Sequence, residues 1–540
     1  MLKLKIVFFQ KNKKQLKLMP KVKSPKSILN ICYSYFFSIK ILTYCKKYVK
    51  QLIMVYNKIM KKIMLIYPPG EIYQRSEDRC QININASVSN SIRACNDLGY
   101  ISAILKQENY NIFLKDYPAE NLTIETFFND IKNENPDVVF ISTTNGSILY
   151  DLDIVKKIKS IKKDTIIILK GALFFNPEQD LYKELDLNEV DYLIGGESEF
   201  IILPLLNAHF NDFSLLDTIQ GISYKQNGEW KTNKLTEFCQ NLDSIPFPDR
   251  AIMKNELYIN PATNNPIATI STSRGCPSSC IYCVSPIISG KEVRFRSQKS
   301  VLEELKECYF KYNIKEFFFK SDTFTINKKW VMELCDYIIN SELSERINWV
   351  ANSKVNTLDE EMLSKMKAAG CTLIALGIES GNEESLKRMK KGTTIAQNIA
   401  TVKLIKKYGL KIFGFYLIGF PWENTKHISD TEKLIFALDT DFIEISIATP
   451  FKGSELYNMI FEKNGDKKNI LGKDSFKNIT TGTDFLSKEE LEAIRKKIIL
   501  KYHLRPSFIL KKLFDKEINP CILKNYIKYG IRLLNNIFNP

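Results

Sequence analysis

The 540-residue sequence predicts an α/β protein: a Rossmann-like, flavodoxin-type parallel sheet, then a partial (β/α)6 TIM-like barrel, then a helical extension. Three observations predict it. From residue 63 to about 203, short apolar runs alternate with helical stretches, as a parallel sheet covered by helices requires. From residue 267 six βα units repeat over about 180 residues, short of the roughly 250 of an eight-unit barrel. Beyond residue 486 the chain is lysine-rich with apolar residues at helical spacing (EELEAIRKKIILKYHL), the pattern of a packed helix with a solvated face.

In the first series the strands fall at 63–67, 110–114, 138–141, 165–169 and 192–194, and four of them run into turn residues: PPGE at 68–71, STTNGS at 142–147, GALFF at 171–175 and GGESE at 195–199. Ligands of an open parallel sheet sit beyond the carboxyl ends of its strands, so this domain should bind something there. Residues 209–262, with NGEW at 227–230 and IPFPDR at 245–250, read as a linker, because their turn residues and prolines favour extended backbone. The second series places strands at 267–272, 316–319, 348–351, 373–378, 411–418 and 442–447. The expected partition is therefore a basic extension (1–59), a first α/β domain (60–208), a linker (209–262), a barrel core (263–485) and a helical region (486–540).

Composition narrows the function. Hydrophobic residues at 44% and charged residues at 26% are those of a globular chain. The net charge of +16 is confined to one end: residues 1–62 hold 16 Lys and no Asp, Glu or Arg, and setting those aside leaves 61 basic against 61 acidic residues. A neutral body argues against nucleic acid as a partner. The uncharged run at 27–39 is too short to span a bilayer. Two readings of the basic segment stand: a segment lying on an anionic membrane surface, or an extension outside the fold, with Met60 or Met64 the natural start. Apart from one trio the twelve cysteines are scattered singly, unlike a disulfide framework, and a reducing cytoplasm is the expected compartment.

That trio lies in SRGCPSSCIYCVSP at 273–286 and directly follows the first barrel strand. A disulfide would leave one thiol over, and structural zinc wants four ligands where no second pair exists and the three histidines are distant. Cys308 and Cys335 sit on helical patterns and Cys371 precedes a strand, so each reads as a small buried hydrophobe. Three thiolates on a tight loop suit an iron–sulfur cube with one iron left without a protein ligand.

The loop resembles that of the radical S-adenosylmethionine (SAM) enzymes: Cys-x-x-x-Cys-x-x-Cys with an aromatic residue before the third cysteine. The resemblance implies that Cys276, Cys280 and Cys283 bind a [4Fe–4S] cluster whose fourth iron chelates SAM. It also implies that reductive cleavage of SAM yields a 5′-deoxyadenosyl radical, with electrons from a donor of flavodoxin or ferredoxin type. Further matches follow at successive strand ends. FFFKSDTFT at 317–325 contains Asp322, LGIESGNEESLKRMKKG at 376–392 offers Glu379 or Ser380 to the SAM ribose or amino-acid end, and FYLIGFPWEN at 415–424 places Gly419 near the adenine. Tyr282 would form an aromatic wall beside the cluster.

The first domain resembles the cobalamin-binding domain that precedes the radical core in hopanoid methylases and anaerobic porphyrin cyclases, carried by PPGE, NDLGYISAIL at 96–105, PDVVFISTT at 136–144 and DYLIGGESE at 191–199. It implies a cobalamin resting on Ser142, Thr143, Thr144, Gly171, Gly195 and Glu197. Residues 60–208 contain no histidine, so that segment supplies no lower axial imidazole. The expected function is C-methylation of an unactivated carbon. The alternatives are oxidative cyclisation or another radical rearrangement on the same fold, and a non-catalytic cobalamin or redox sensor. The expected substrate is a small molecule or, from the basic, aromatic start, a lipid-like one. The expected location is cytoplasmic, with peripheral attachment to the inner membrane surface as the variant.

Overall fold

A run such as Val-Val-Phe-Ile-Ser at 138–142, buried at every position, is satisfied only in the middle of a parallel sheet covered on both faces, and the computed structural model puts it there. The structure describes residues 61–73, 75, 92–175, 177, 179–462, 471–472, 481–514 and, beyond these, 520, 522–525, 527, 530 and 531. The expected extension 1–59 lies outside the described residues.

The first sheet has the strand order β2-β1-β3-β4-β5-β6-β7. Its strands are β1 (Lys62–Tyr67), β2 (Asn111–Asp116), β3 (Val138–Ser142), β4 (Ile166–Lys170), β5 (Tyr192–Ile194), β6 (Ile222–Gln226) and β7 (Glu229–Asn233). Strands β1, β3, β4 and β5 pair in parallel, the doubly wound arrangement the sequence predicts. Met64, one of the two candidate starts, lies inside β1. Helices α1 (Asn96–Gln107), α2 (Ile124–Glu134), α3 (Ile148–Ile161) and α4 (Ser198–Asn211) cover the sheet. Thr123 caps α2 by accepting the Thr126 N–H, and Asn135, in the left-handed region at φ 46°, closes its other end.

The expected linker is corrected in its first half. Strands β6 and β7 fall within 209–262 and extend the sheet antiparallel to β5. Their turn is Asn227-Gly228, both at positive φ (55° and 85°), the geometry a two-residue hairpin needs. Only the chain after Asn233 connects the two sheets.

The second sheet is β15-β14-β13-β12-β11-β8, parallel throughout and in sequential order, an open six-stranded barrel wall. Its strands are β8 (Ile267–Ser271), β11 (Glu316–Lys320), β12 (Asn348–Lys354), β13 (Cys371–Glu379), β14 (Lys411–Ile418) and β15 (Phe442–Ile447); β9 (Ser273–Arg274) and β10 (Arg294–Phe295) form a small antiparallel pair beside it. Outside the wall lie α5 (Gln298–Lys306), α6 (Lys328–Ile339), α7 (Glu360–Ala368), α8 (Ile395–Lys407) and α9 (Thr425–Leu438). The core between wall and helices includes Phe319 stacked on Trp349 at 4.6 Å, both essentially unexposed. Burying a ring such as Phe319 contributes about 2–3 kcal/mol. Cys308, Cys335 and Cys371 are buried there, as their sequence context predicts.

Helix α10 (Lys488–His503) starts at a capping box, Ser487 with Glu490, and buries Leu491, Ile498 and Tyr502. Helix α11 (Pro506–Leu513) follows. Among the described residues no helix is long and apolar enough to cross a membrane.

Candidate active site

Strand β8 delivers the chain to the carboxyl edge of the barrel, and the cysteine loop begins there. Gly275 turns it at φ 104°, where an added Cβ would lie 1.9 Å from the Glu292 carbonyl oxygen, so only glycine fits. The Cys276 N–H donates to the Gly290 carbonyl (3.0 Å) and the Cys283 N–H to that of Cys280 (3.1 Å). Ile281, buried between the second and third cysteines, donates to Met389 O and accepts from Leu456 N, which ties the loop to the far side of the barrel.

Asp322, just after β11, holds both ends of the loop. Its Oδ2 accepts the Gly275 N–H at 3.1 Å and its Oδ1 accepts the Ser285 hydroxyl at 2.6 Å. It also lines the cavity, so the strand-end aspartate serves as the anchor of the cysteine loop.

The cavity occupies the barrel interior, with a volume of about 1070 Å³. Cys276, Cys280, Cys283, Tyr282, Asp322 and Glu379 all line it. Tyr282 packs edge-on against Phe420 at 5.8 Å. Glu379 ends β13 at φ 68°, a left-handed conformation uncommon for its type, next to a break in the β13–β14 register between Gly377 and Glu379. The irregularity places the carboxylate at the cavity wall, where Lys391 Nζ meets Oε1 at 2.6 Å. Burial pushes the Cys280 thiol up, while Lys391 and Lys354 pull it back.

Two expected SAM contacts are not brought to the cavity. Ser380 is fully buried, with its hydroxyl 3.1 Å from that of Thr431. Gly419, at φ 91°, faces Ile447 and Leu491, and its N–H donates to Glu423 Oε2 at 2.8 Å. Glu423 is the residue that sequence reasoning passed over. Fully buried, it accepts from Gly419 N, Phe420 N and the Ser385 hydroxyl, and so fixes the turn after β14; burial pushes its carboxyl up.

The donor set suits the implied cluster. Three free thiols open into one cavity. Among the described residues no three His, Cys, Asp or Glu side chains are gathered around a single ion position. A cube takes each thiolate at a different corner, and the neighbouring lysines offset its negative charge.

At the ends of the first sheet, the residues expected to meet cobalamin are largely occupied by the protein itself. Ser142, Thr143 and Thr144 are buried; Thr143 and Ser147 donate to Asp151, which also pairs with Arg75. A Cβ on Gly195 would fall 1.5 Å from Phe174 O, and one on Gly171 2.9 Å from Thr143 O, so these glycines permit close packing of the strand-end turns. Glu197 binds Arg274 and Arg294, and Glu199 binds Arg274 at 2.6 Å. The loop after β5 is thereby fastened to the β9–β10 pair at the base of the cysteine loop. Buried polar atoms without a hydrogen-bond partner nonetheless remain at or beside these strand ends: Ser142 Oγ and Asn96 Oδ1, and Lys170 Nζ and Asp97 Oδ2, which face each other as an ion pair at 3.9 Å. Such atoms fit a ligand with a hydrogen-bonding rim, as cobalamin's amide side chains provide.

Comparison with known proteins agrees with this geometry. The family model of the radical SAM superfamily matches residues 270–435, and that of the B12 binding domain matches residues 96–202. An uncharacterized methyltransferase, PH0819 of Pyrococcus horikoshii, is 32% identical over 445 residues, covering 81% of this chain and 93% of that protein. The anaerobic magnesium-protoporphyrin IX monomethyl ester cyclase of Rubrivivax gelatinosus is 25% identical over 448 residues, 80% of this chain and 78% of its own. Among solved structures, the cobalamin-dependent SAM radical enzyme OxsB, with aqua-cobalamin and SAM bound, superposes with a TM-score of 0.65 at 17% identity over 89% of this chain and 72% of that one, a likeness of fold.

Proposed function

This chain belongs to the radical SAM superfamily, with a B12-binding domain ahead of the radical SAM core, and from that premise we propose that it places a methyl group on an unactivated carbon of its substrate. One observation carries the reading: Glu197 and Glu199, at the ligand-facing edge of the B12-binding sheet, grip Arg274 and Arg294 at the foot of the cysteine loop. This link supports a reading in which the two cofactors act together.

When bound, the [4Fe–4S] cluster and SAM supply hydrogen-atom abstraction, and cobalamin supplies a transferable methyl group. Cys276, Cys280 and Cys283 would hold three irons, and Asp322 keeps their loop in register. The Lys391–Glu379 pair would offer an ammonium and a carboxylate to the amino-acid end of SAM, with Tyr282 as the adjoining wall. Ile281, Met389, Phe420, Trp422 and Leu456 form an apolar backing that excludes water from this end. Ser142 and Lys170 would meet the cobalamin rim, with Thr143, Thr144, Gly171 and Gly195 packed behind them. A low-potential flavodoxin- or ferredoxin-type protein would supply electrons, and such chemistry fits a reducing cytoplasm.

The similarity to the Rubrivivax cyclase supports a second reading, oxidative ring closure on the same fold. Anaerobic turnover with methyl-deuterated SAM separates the two. Methylation carries the label into product; ring closure leaves it in methionine.

A further inference from the structure

The cavity does not stop beneath the cysteine loop. Lys411, Phe413, Phe415 and Leu417, alternate residues of β14, all line it, and six residues of strand span about 20 Å. It therefore runs the height of the wall, from the cluster end to the amino ends of the strands, where Leu504, Ile509, Leu513 and Ile527 line its lower mouth.

The lower half is apolar along one side. Phe413 stacks on Phe415 at 4.8 Å and lies 6.1 Å from Phe442, with Leu373 on the neighbouring strand. Two charged groups at this end are engaged within the protein. Both oxygens of Glu316 are taken, Oε2 by Asn260 and Thr263 and Oε1 by Asn265, and the Lys512 ammonium sits 3.9 Å over the Phe442 ring.

The mouth itself is exposed and apolar. Leu504, Ile509, Leu513 and Ile527 are 50%, 42%, 46% and 56% exposed, and Phe514 beside them is 80% exposed. Residues 505–540 carry seven Lys and Arg against two Asp and Glu. An apolar rim in a basic segment complements an anionic bilayer, and contiguous exposed apolar surface marks a site of interaction.

We propose that the lower half of the barrel holds the extended hydrocarbon chain of a membrane lipid, drawn in past α11, with the carbon to be modified at the cysteine-loop end. The assignment deepens the methyl-transfer reading and rests on it only for the chemistry at the upper end. Entry from below leaves the carboxyl edge of the barrel to the cofactors.

The test uses the full-length, anaerobically reconstituted protein and cis-parinaric acid, a fluorescent long-chain fatty acid, presented in phosphatidylglycerol vesicles. The wild type takes up the probe saturably. Leu373→Trp, which narrows the cavity near the amino ends of the strands, weakens uptake at least tenfold while keeping wild-type iron content and thermal transition. Ile527→Asp, at an exposed position where folding is not at stake, weakens it as well. No uptake by the wild type, or equal uptake by all three proteins, overturns the assignment. Reductive SAM cleavage is followed in the same samples: cleavage without lipid uptake refutes the chain-binding site alone, and lipid uptake without cleavage refutes the radical SAM reading alone.

Discussion

Replacing Glu197 with glutamine keeps the side chain's shape and removes one buried negative charge from between two buried guanidinium groups. Oε1 lies 2.9 Å from Arg274 Nη1 and 2.9 Å from Arg294 Nη1, and Oε2 lies 2.9 Å from Arg294 Nη1 while accepting the Cys239 N–H at 2.9 Å. All three side chains are at most 6% exposed. With charge centres about 4 Å apart and an effective dielectric of about 20, each pair is worth about 4 kcal/mol in Coulomb terms. Arg274 keeps Glu199, whereas Arg294 keeps the carbonyls of Ser289 and Cys239. Breaking such a buried pair from one side costs about 3–5 kcal/mol. The assay is urea titration of the reconstituted protein, read at the visible absorbance of its cluster, because the base of the cysteine loop loosens first. The control is Glu307→Gln, which removes an exposed contact with Lys311 worth about 0.3–0.5 kcal/mol. A Glu197→Gln transition within about 1 kcal/mol of that control would refute the idea that this latch holds the two cofactor sites together.

Asp322→Asn weakens two charge-assisted contacts worth about 1.5–3 kcal/mol each, so reconstituted iron content and SAM cleavage both fall while the barrel's thermal transition moves little; unchanged iron content would count against the anchor role. Burial lifts the Asp116 carboxyl to about 6. The unfolded chain gives up this proton near pH 4 and the folded chain near 6, so the contribution is full below about pH 4 and is lost as pH rises through 6, by about 3 kcal/mol. Asp116→Asn is therefore expected to gain stability relative to wild type between pH 4 and 7, and urea midpoints across that range check it. Cobalamin bound to this protein is expected to show no nitrogen splitting from a protein imidazole in the electron paramagnetic resonance of its Co(II) form. Residues 60–208 contain no histidine, and His209 is engaged with the Tyr192 hydroxyl at the start of β5, away from the ligand-facing edge.

The sequence was most legible where one short segment carries its own meaning. Buried β-branched and aromatic runs place the parallel strands to within a few residues, because a strand covered on both faces tolerates little else. The cysteine spacing points to a cluster because three ligands sit on one loop. The hairpin at Asn227-Gly228 has the right turn residues, but its second strand, Glu229–Asn233, is at most half-buried and lacks the apolar run that marks a strand in sequence. Roles set by tertiary partners were not legible. Asp322 reaches back 47 residues to Gly275 and Glu197 reaches forward 77 to Arg274, and no local pattern records either pairing. Ser380 and Gly419 stand beside the right strands but turn toward Thr431 and Glu423, a matter of which way a strand end bends.

The proposed chemistry depends on the three thiols holding a redox cluster that cleaves SAM. The direct measurement is anaerobic reconstitution with iron and sulfide, followed by incubation with SAM and a low-potential reductant. The expected result is a brown protein that releases 5′-deoxyadenosine and methionine, and a Cys280→Ala variant that is colourless and inert. A wild-type protein that takes up zinc in place of iron and leaves SAM intact would contradict it.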